Sequence, residues 1–242
     1  MFRGIFVTGT DTNVGKTVVS AALMIRYRDE APVRYWKPIQ TGIRDSGLGI
    51  GDPGFGIRDG DDTAEVARLS RARDEEIVNA GVRLPDPVSP HLAAQRAGTR
   101  ITVKTIVETP NGIESRIPNP ESRHRWIIEG AGGLLVPINE RETMADLMRA
   151  LDLPVLIAAR STLGTINHTV LTIEGLRRRM LRVAGVVMVG DPNDENRLAI
   201  EKYGAAEVVA HMPRFDPLTP EALECWVAAE FDRSGVLFGC LR

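Results

Sequence analysis

The chain has 242 residues, 43% of them hydrophobic and 26% charged, enough for one large domain or two small ones with a substantial core. A formal charge of −2 argues against a broad electrostatic grip on nucleic acid, and no apolar run approaches the roughly 18–20 residues of a membrane span. Cys225 and Cys240 are the only two cysteines, without metal spacing, and MFRGIFVTG carries no signal-peptide pattern; a reducing cytoplasm is expected.

Taken in chain order, Ile5-Phe6-Val7 predicts a buried strand, and residues 16–28 a helix whose apolar positions recur near a 3.6 period. A strand follows at 33–37, then helices at 63–70 and 90–97. Beyond a strand at 125–129 the pattern alternates: helix 143–151, strand 154–159, helix 165–179, strand 183–189, helix 194–203, strand 207–211 and helix 220–231. Ser89-Pro90 and Thr219-Pro220 have the order of an N-cap and first helical residue. Such alternation implies right-handed crossovers and a mainly parallel sheet covered on both faces, one α/β domain over residues 1–242. Two stretches break the rhythm. Residues 47–60 hold six glycines and one proline, a mobile lid or a surface excursion. Pro110, Pro118 and Pro120 argue against a long helix between Ile101 and Trp126.

The stretch GTDTNVGKT, residues 9–17, ends like a phosphate-binding loop, but five residues rather than four separate Gly9 from Gly15. The extra residue is expected at the first bend, made by Gly9. A strand feeding this turn and a helix leaving it aim backbone N–H groups at an anion. Lys16 would then reach the terminal phosphates of a nucleoside triphosphate, and the Thr17 hydroxyl would ligate magnesium. In YWKPIQTG, residues 35–42, a strand delivers Lys37 at its carboxyl end, where open parallel sheets bind ligands. A lone lysine there reads as a snorkelling surface group; beside a phosphate loop it reads as a cation for a transferring phosphoryl group. Asp62 and Glu129 could both approach magnesium beside Thr17. For Asp62 the bland alternative is a helix N-cap, which Asp61 or Asp62 would serve. Glu129 precedes Gly130-Ala131-Gly132-Gly133, where a substrate could approach the backbone closely.

GTDTNVGKT, KPIQTG, DDTAEV, SPHLAA, EGAGGLLVP and LGTINHT together resemble the dethiobiotin synthases, in the family's order and rough spacing, from residue 5 to about 170. The resemblance implies a single-domain P-loop NTPase-type three-layer sandwich, a homodimer, and the substrates 7,8-diaminopelargonate, CO2 and ATP. It implies magnesium held by Thr17, Asp62 and Glu129, and phosphates cradled by Asn13, Val14, Gly15, Lys16 and Thr17. Lys37 matches the family's active-site lysine, and Lys16 joins it as a catalytic cation. Thr41 and Ser89 match positions near the diamine or carbamate, and Asn167 the helix start that receives the substrate carboxylate across the dimer. Gly130, Ala131 and Gly132 border both substrates. The base end departs from the family: Val189-Gly190 stands where Asn-Asp often lies, and Pro213-Arg214-Phe215 matches only the proline of the loop beside the base. The rival readings are a cobyrinate-type ATP-dependent ligase and a ParA/MinD-like ATPase. Asp11 stands where the latter carries an extra lysine, and the acidic balance also opposes a nucleic-acid or membrane partner.

Overall fold

A computed structural model describes residues 3–43, 61–115 and 124–241; the glycine-rich stretch at 47–60, Pro118 and Pro120 lie outside them. Its frame is a seven-stranded sheet, with every pairing parallel. The strands are β1 (Arg3–Gly9), β2 (Val33–Trp36), β4 (Ile77–Val78), β6 (Arg125–Gly133), β7 (Val155–Arg160), β8 (Val183–Val189) and β9 (Val208–Met212), in the order β4-β2-β6-β1-β7-β8-β9. β3 (Ile39–Thr41) and β5 (Val82–Leu84) pair in a separate two-stranded sheet.

Alternation along the strands divides the core in two. On one face lie Phe6, Trp36, Trp126, Ile128, Ile157 and Met188. The other carries Ile5, Val7, Tyr35, Ile127, Leu156 and Val187. These strands are buried on both sides, which is why they read as continuous apolar runs. The first face is covered by α3 (Pro90–Arg96), α4 (Val103–Glu114), α5 (Met144–Leu151) and α6 (Thr165–Arg177), with Ile200 of α7 (Asp194–Gly204). The second is covered by α1 (Lys16–Tyr27), α2 (Asp62–Ser70), α8 (Pro220–Glu230) and α9 (Val236–Leu241). Trp36 and Trp126 meet edge to face at 6.2 Å on the first face, a geometry worth about 0.5–1.5 kcal/mol beyond their burial.

Most predicted elements form within two residues of their expected ends, and β6 runs four residues further, through Gly133. One expectation fails. Pro110 does not prevent a helix: α4 runs 12 residues through it. Pro110 has no N–H to offer the Ile106 carbonyl, yet Val103, Ile106 and Pro110 fall on one buried face, and that burial offsets the missing bond. Among the described residues no helix is long and apolar enough to cross a membrane.

The topology sets one end of the sheet apart. From β1 the chain moves to β2 on one side, returns through β6, then crosses to β7 on the other side. The carboxyl ends around β1 therefore form the crevice where such sheets bind ligands.

Candidate active site

The phosphate loop leaves β1 still paired to β7, since Thr10 donates its N–H to the Ala158 carbonyl at 3.0 Å. The extra residue is thus carried along the strand end. The sharp turns come later than expected, at Asn13 (φ 53°) and Gly15 (φ 92°), both left-handed. Gly9 is needed for room rather than for its dihedral: a Cβ there would stand 2.7 Å from the Asp11 carbonyl oxygen and from Val14 Cγ2. Val14 is itself buried in the core, so its backbone alone faces the loop. Gly15 caps α1 without a side-chain hydrogen bond, and the first turn holds no acidic residue. Its N–H groups and helix dipole remain open to an anion. Lys16 Nζ donates to the Asp11 carbonyl at 3.0 Å, and Arg160, at the end of β7, pairs with the Asp11 carboxylate at 3.1 Å.

Strand register assembles the rest. Tyr35 pairs with Ile127 and Trp36 with Ile128, so the next positions, Lys37 and Glu129, meet on the face that α1 covers. Lys37 Nζ donates to Glu129 Oε1 at 2.7 Å and also to Asp62 Oδ2. Thr17 Oγ1, on the first turn of α1, donates to the same Glu129 Oε1 at 3.1 Å. Pro38 separates β2 from β3, and the turn between them is pinned because Arg83 Nη1 donates to the Lys37 carbonyl at 3.0 Å. Gly81 passes so close that a Cβ would lie 2.9 Å from the same carbonyl oxygen.

Burial alone would draw Lys37 down, but the Glu129 and Asp62 carboxylates outweigh it and hold the ammonium above the ordinary lysine value. Lys16 goes the other way: burial lowers it, and Glu129 only partly compensates. The two cations therefore hold their protons unequally.

Asp61 and Asp62 divide the roles the sequence left open. Asp61 accepts from the Thr63 N–H at 2.9 Å and caps α2, whereas Asp62 turns toward Lys37. The Asp62 and Glu129 carboxylates thus meet at the buried Lys37 ammonium, and the Thr17 hydroxyl joins them through Glu129. Two carboxylates and a hydroxyl suit magnesium, which keeps waters and phosphate oxygens for its other positions.

The other residues expected at the site lie on several different elements. Thr41 ends β3, half-buried. Ser89 occupies the N-cap position of α3, but its hydroxyl meets His91 Nδ1 at 3.0 Å instead of a backbone N–H. Gly130 lies under the Phe6 ring, 2.8 Å from where a Cβ would stand, and Gly132 adopts φ 66°. Between them Ala131 falls in the stretch where the β1–β6 register shifts. Asn167 is exposed on the first turn of α6, whose cap Gly164 is left-handed. Pro213, Arg214 and Phe215 follow β9; Arg214 is exposed, and the Phe215 ring packs edge to face on Trp226 at 6.2 Å. Tyr35 was not foreseen: its hydroxyl donates to Glu129 Oε2 at 2.9 Å. Its position two before Lys37 on one strand face was the available signal.

A family model described as an AAA domain matches residues 3–222. The chain is 45% identical over 217 residues to the ATP-dependent dethiobiotin synthetase BioD of Paramagnetospirillum magneticum, spanning 90% of this chain and 91% of that protein. The corresponding protein of Agrobacterium fabrum is 37% identical over 231 residues, 96% of this chain and 95% of the relative. The biotin biosynthesis bifunctional protein BioCD of Bordetella avium is 42% identical over 224 residues, and there the match spans 93% of this chain but only 42% of the longer protein. Among solved structures, the MinC:MinD cell division protein complex of Aquifex aeolicus aligns with a TM-score of 0.50 at 13% identity, over 92% of this chain and 88% of that one. That last likeness concerns the fold alone.

Proposed function

The chain belongs to the ATP-dependent dethiobiotin synthetase family, and from that premise we propose how its strand-end cluster couples ATP cleavage to ring closure. Like these relatives it is an ATP-using ligase of biotin biosynthesis. Its other substrates are 7,8-diaminopelargonate and CO2. One amine captures CO2 as a carbamate and releases a proton. A carbamate oxygen attacks the γ-phosphorus as the bond to the β,γ-bridging oxygen breaks, and ADP leaves. The second amine then adds to the carbonyl carbon of this mixed anhydride; phosphate departs with the C–O bonding pair, the amine gives up its proton, and a cyclic urea remains.

The phosphorylation step brings the carbamate and γ-phosphate anions together, so the protein's task there is to supply cations. Lys37 and Lys16, both buried, would supply that charge. Asn13, Val14, Gly15, Lys16 and Thr17 cradle the phosphates at the open end of α1. Thr17, Asp62 and Glu129 would hold magnesium, which neutralises phosphate charge when bound. Thr41, Ser89 and the Gly130-Ala131-Gly132 backbone keep the second amine near the carbonyl, a proximity effect. No covalent enzyme intermediate is required.

The assembly is a homodimer. Leu163, just before the Gly164 cap of α6, and Leu171, on the helix itself, are both exposed, with Asn167 between them in sequence. Exposed leucines flanking the residue assigned to the substrate carboxylate fit a two-fold contact.

The single observation that carries this reading is the Lys37–Glu129–Asp62 cluster, with Lys37 and Glu129 buried, at the first turn of the phosphate-loop helix. The decisive assay supplies ATP, magnesium, bicarbonate and diaminopelargonate and follows ADP and dethiobiotin by mass spectrometry. Equal yields that vanish without the diamine or bicarbonate are expected. ATP hydrolysis indifferent to both would instead favour the ParA/MinD-like reading.

A further inference from the structure

The two oxygens of Glu129 have different neighbours. Oε1 receives Lys37 Nζ at 2.7 Å and Thr17 Oγ1 at 3.1 Å, whereas Oε2 receives the Tyr35 hydroxyl at 2.9 Å. Tyr35 is fully buried, and its backbone is locked in register against Ile127. Glu129 lies two residues beyond Ile127 on the same strand face, so donor and acceptor are both fixed by the sheet.

We propose that Tyr35 is a positioning residue: its hydroxyl commits Glu129 Oε2 and presents Oε1 alone to the point shared by Lys37, Asp62 and Thr17. Packing does not call for that hydroxyl, since a phenylalanine ring would occupy the same place in the apolar core on this face of the sheet. Its use is to stop the carboxylate from rotating and from turning both oxygens on Lys37. Burial and the nearby Glu129 charge hold the phenol well above its ordinary range, so it stays a donor. Partners that orient a ligating carboxylate commonly govern metal affinity by 10–100-fold. The inference rests on the magnesium reading above.

The test compares wild type, Tyr35→Phe, Glu129→Gln and the double variant for binding of Mn2+ in the presence of ADP, read by electron paramagnetic resonance. Tyr35→Phe should weaken Mn2+ binding about 10-fold or more, and should add little in the Glu129→Gln background because the two act as one unit. Tyr35→Phe that binds Mn2+ like wild type, with only its melting temperature lowered, makes Tyr35 a packing residue and overturns the proposal alone. Wild type that binds no better than Glu129→Gln overturns the magnesium reading and this proposal with it. Should Tyr35→Phe fail to fold, 3-fluorotyrosine at position 35 keeps the hydroxyl and supplies a 19F signal. That signal should move on adding Mg2+ and ADP in wild type and stay put in Glu129→Gln; no movement in wild type counts against the coupling.

Discussion

Lys37 and Glu129 form an ion pair of 2.7 Å whose side chains are 4% and 0% exposed, so neither charge has water to fall back on. Removing one strands the other, and breaking such a buried pair costs about 3–5 kcal/mol. From sequence, Lys37→Ala would be expected to fold normally and lose turnover. The geometry changes half of that expectation. Turnover should fall on the order of 10²–10³, and thermal stability should fall too. The double variant Lys37→Ala/Glu129→Gln should recover stability but not activity. Activity within tenfold of wild type for Lys37→Ala would refute the catalytic role. Lys37→Arg should also fail, because a planar fork does not fit a cavity made for a compact ammonium.

Asp61 and Asp62 should separate cleanly by measurement. Asp61→Ala removes the cap of α2 and should cost about 1 kcal/mol of stability with an unchanged magnesium requirement. Asp62→Asn should raise the magnesium needed for half-maximal rate more than it raises the diamine requirement. A magnesium titration of Asp62→Asn that overlays wild type removes Asp62 from the ligand set.

The parts legible in the sequence share a physical reason. The strand–loop–helix at residues 3–17 announces itself because Gly-Lys-Thr must begin a helix for its N–H groups to face an anion. Glu129 stood out because a carboxylate inside an apolar strand demands donors. Tyr35 did not, since an aromatic residue in a strand reads first as core, and only its hydroxyl distinguishes it. β3, β4 and β5 span three, two and three residues, too short for any periodicity to register, so the ladder that pins Lys37 through Arg83 was invisible. α4 was missed because Pro110 was weighed by its lost hydrogen bond and not by the buried face it shares with Val103 and Ile106.

The unequal lysines give a pH signature. Burial depresses Lys16 below its ordinary 10.5, so the unfolded chain binds that proton more tightly, and this group makes the fold gain stability as pH rises toward 10.5. Lys37 is raised, so its stabilisation is complete below 10.5 and is lost only as pH climbs through its higher folded value. Hence kcat/KM for ATP at saturating diamine should fall on the alkaline side at a pH below 10.5, as Lys16 loses its proton first. An alkaline limb at or above 10.5 would show that Lys16 does not control nucleotide capture.

Charges at Leu163, before the α6 cap, and at Leu171, on α6, test the proposed dimer. Leu163→Asp/Leu171→Asp, far from the core, should leave the fold intact, shift sedimentation to the monomer, and raise the KM for the diamine through the loss of the Asn167 helix start. Wild-type protein that sediments as a monomer at assay concentration with full activity contradicts this arrangement.

The base end supports a prediction about the nucleotide itself. Val189 and Gly190 stand where the resemblance leads to an expectation of Asn-Asp, and neither offers a polar side chain. The Val189 side chain is spent on the phosphate loop: a Cβ built on Gly15 would lie 3.1 Å from its Cγ1. The room that a side chain at 190 would need is taken by Ser161, whose Oγ lies 2.5 Å from where that Cβ would stand. Asn196, the nearby amide, already donates to the Ser161 carbonyl at 2.8 Å. A site that hydrogen-bonds a group rejects analogues strongly, whereas apolar contact discriminates weakly. Triphosphate recognition should therefore be dominated by Asn13, Lys16, Thr17 and magnesium. CTP and GTP should replace ATP within roughly tenfold in kcat/KM, about 1.4 kcal/mol, when turnover is measured at matched magnesium. A preference for ATP beyond about a hundredfold, or 2.7 kcal/mol, would mean that backbone groups near Pro213 or the buried Ser161 hydroxyl read the base, and Ser161→Ala would then separate the two by abolishing the preference only in the second case.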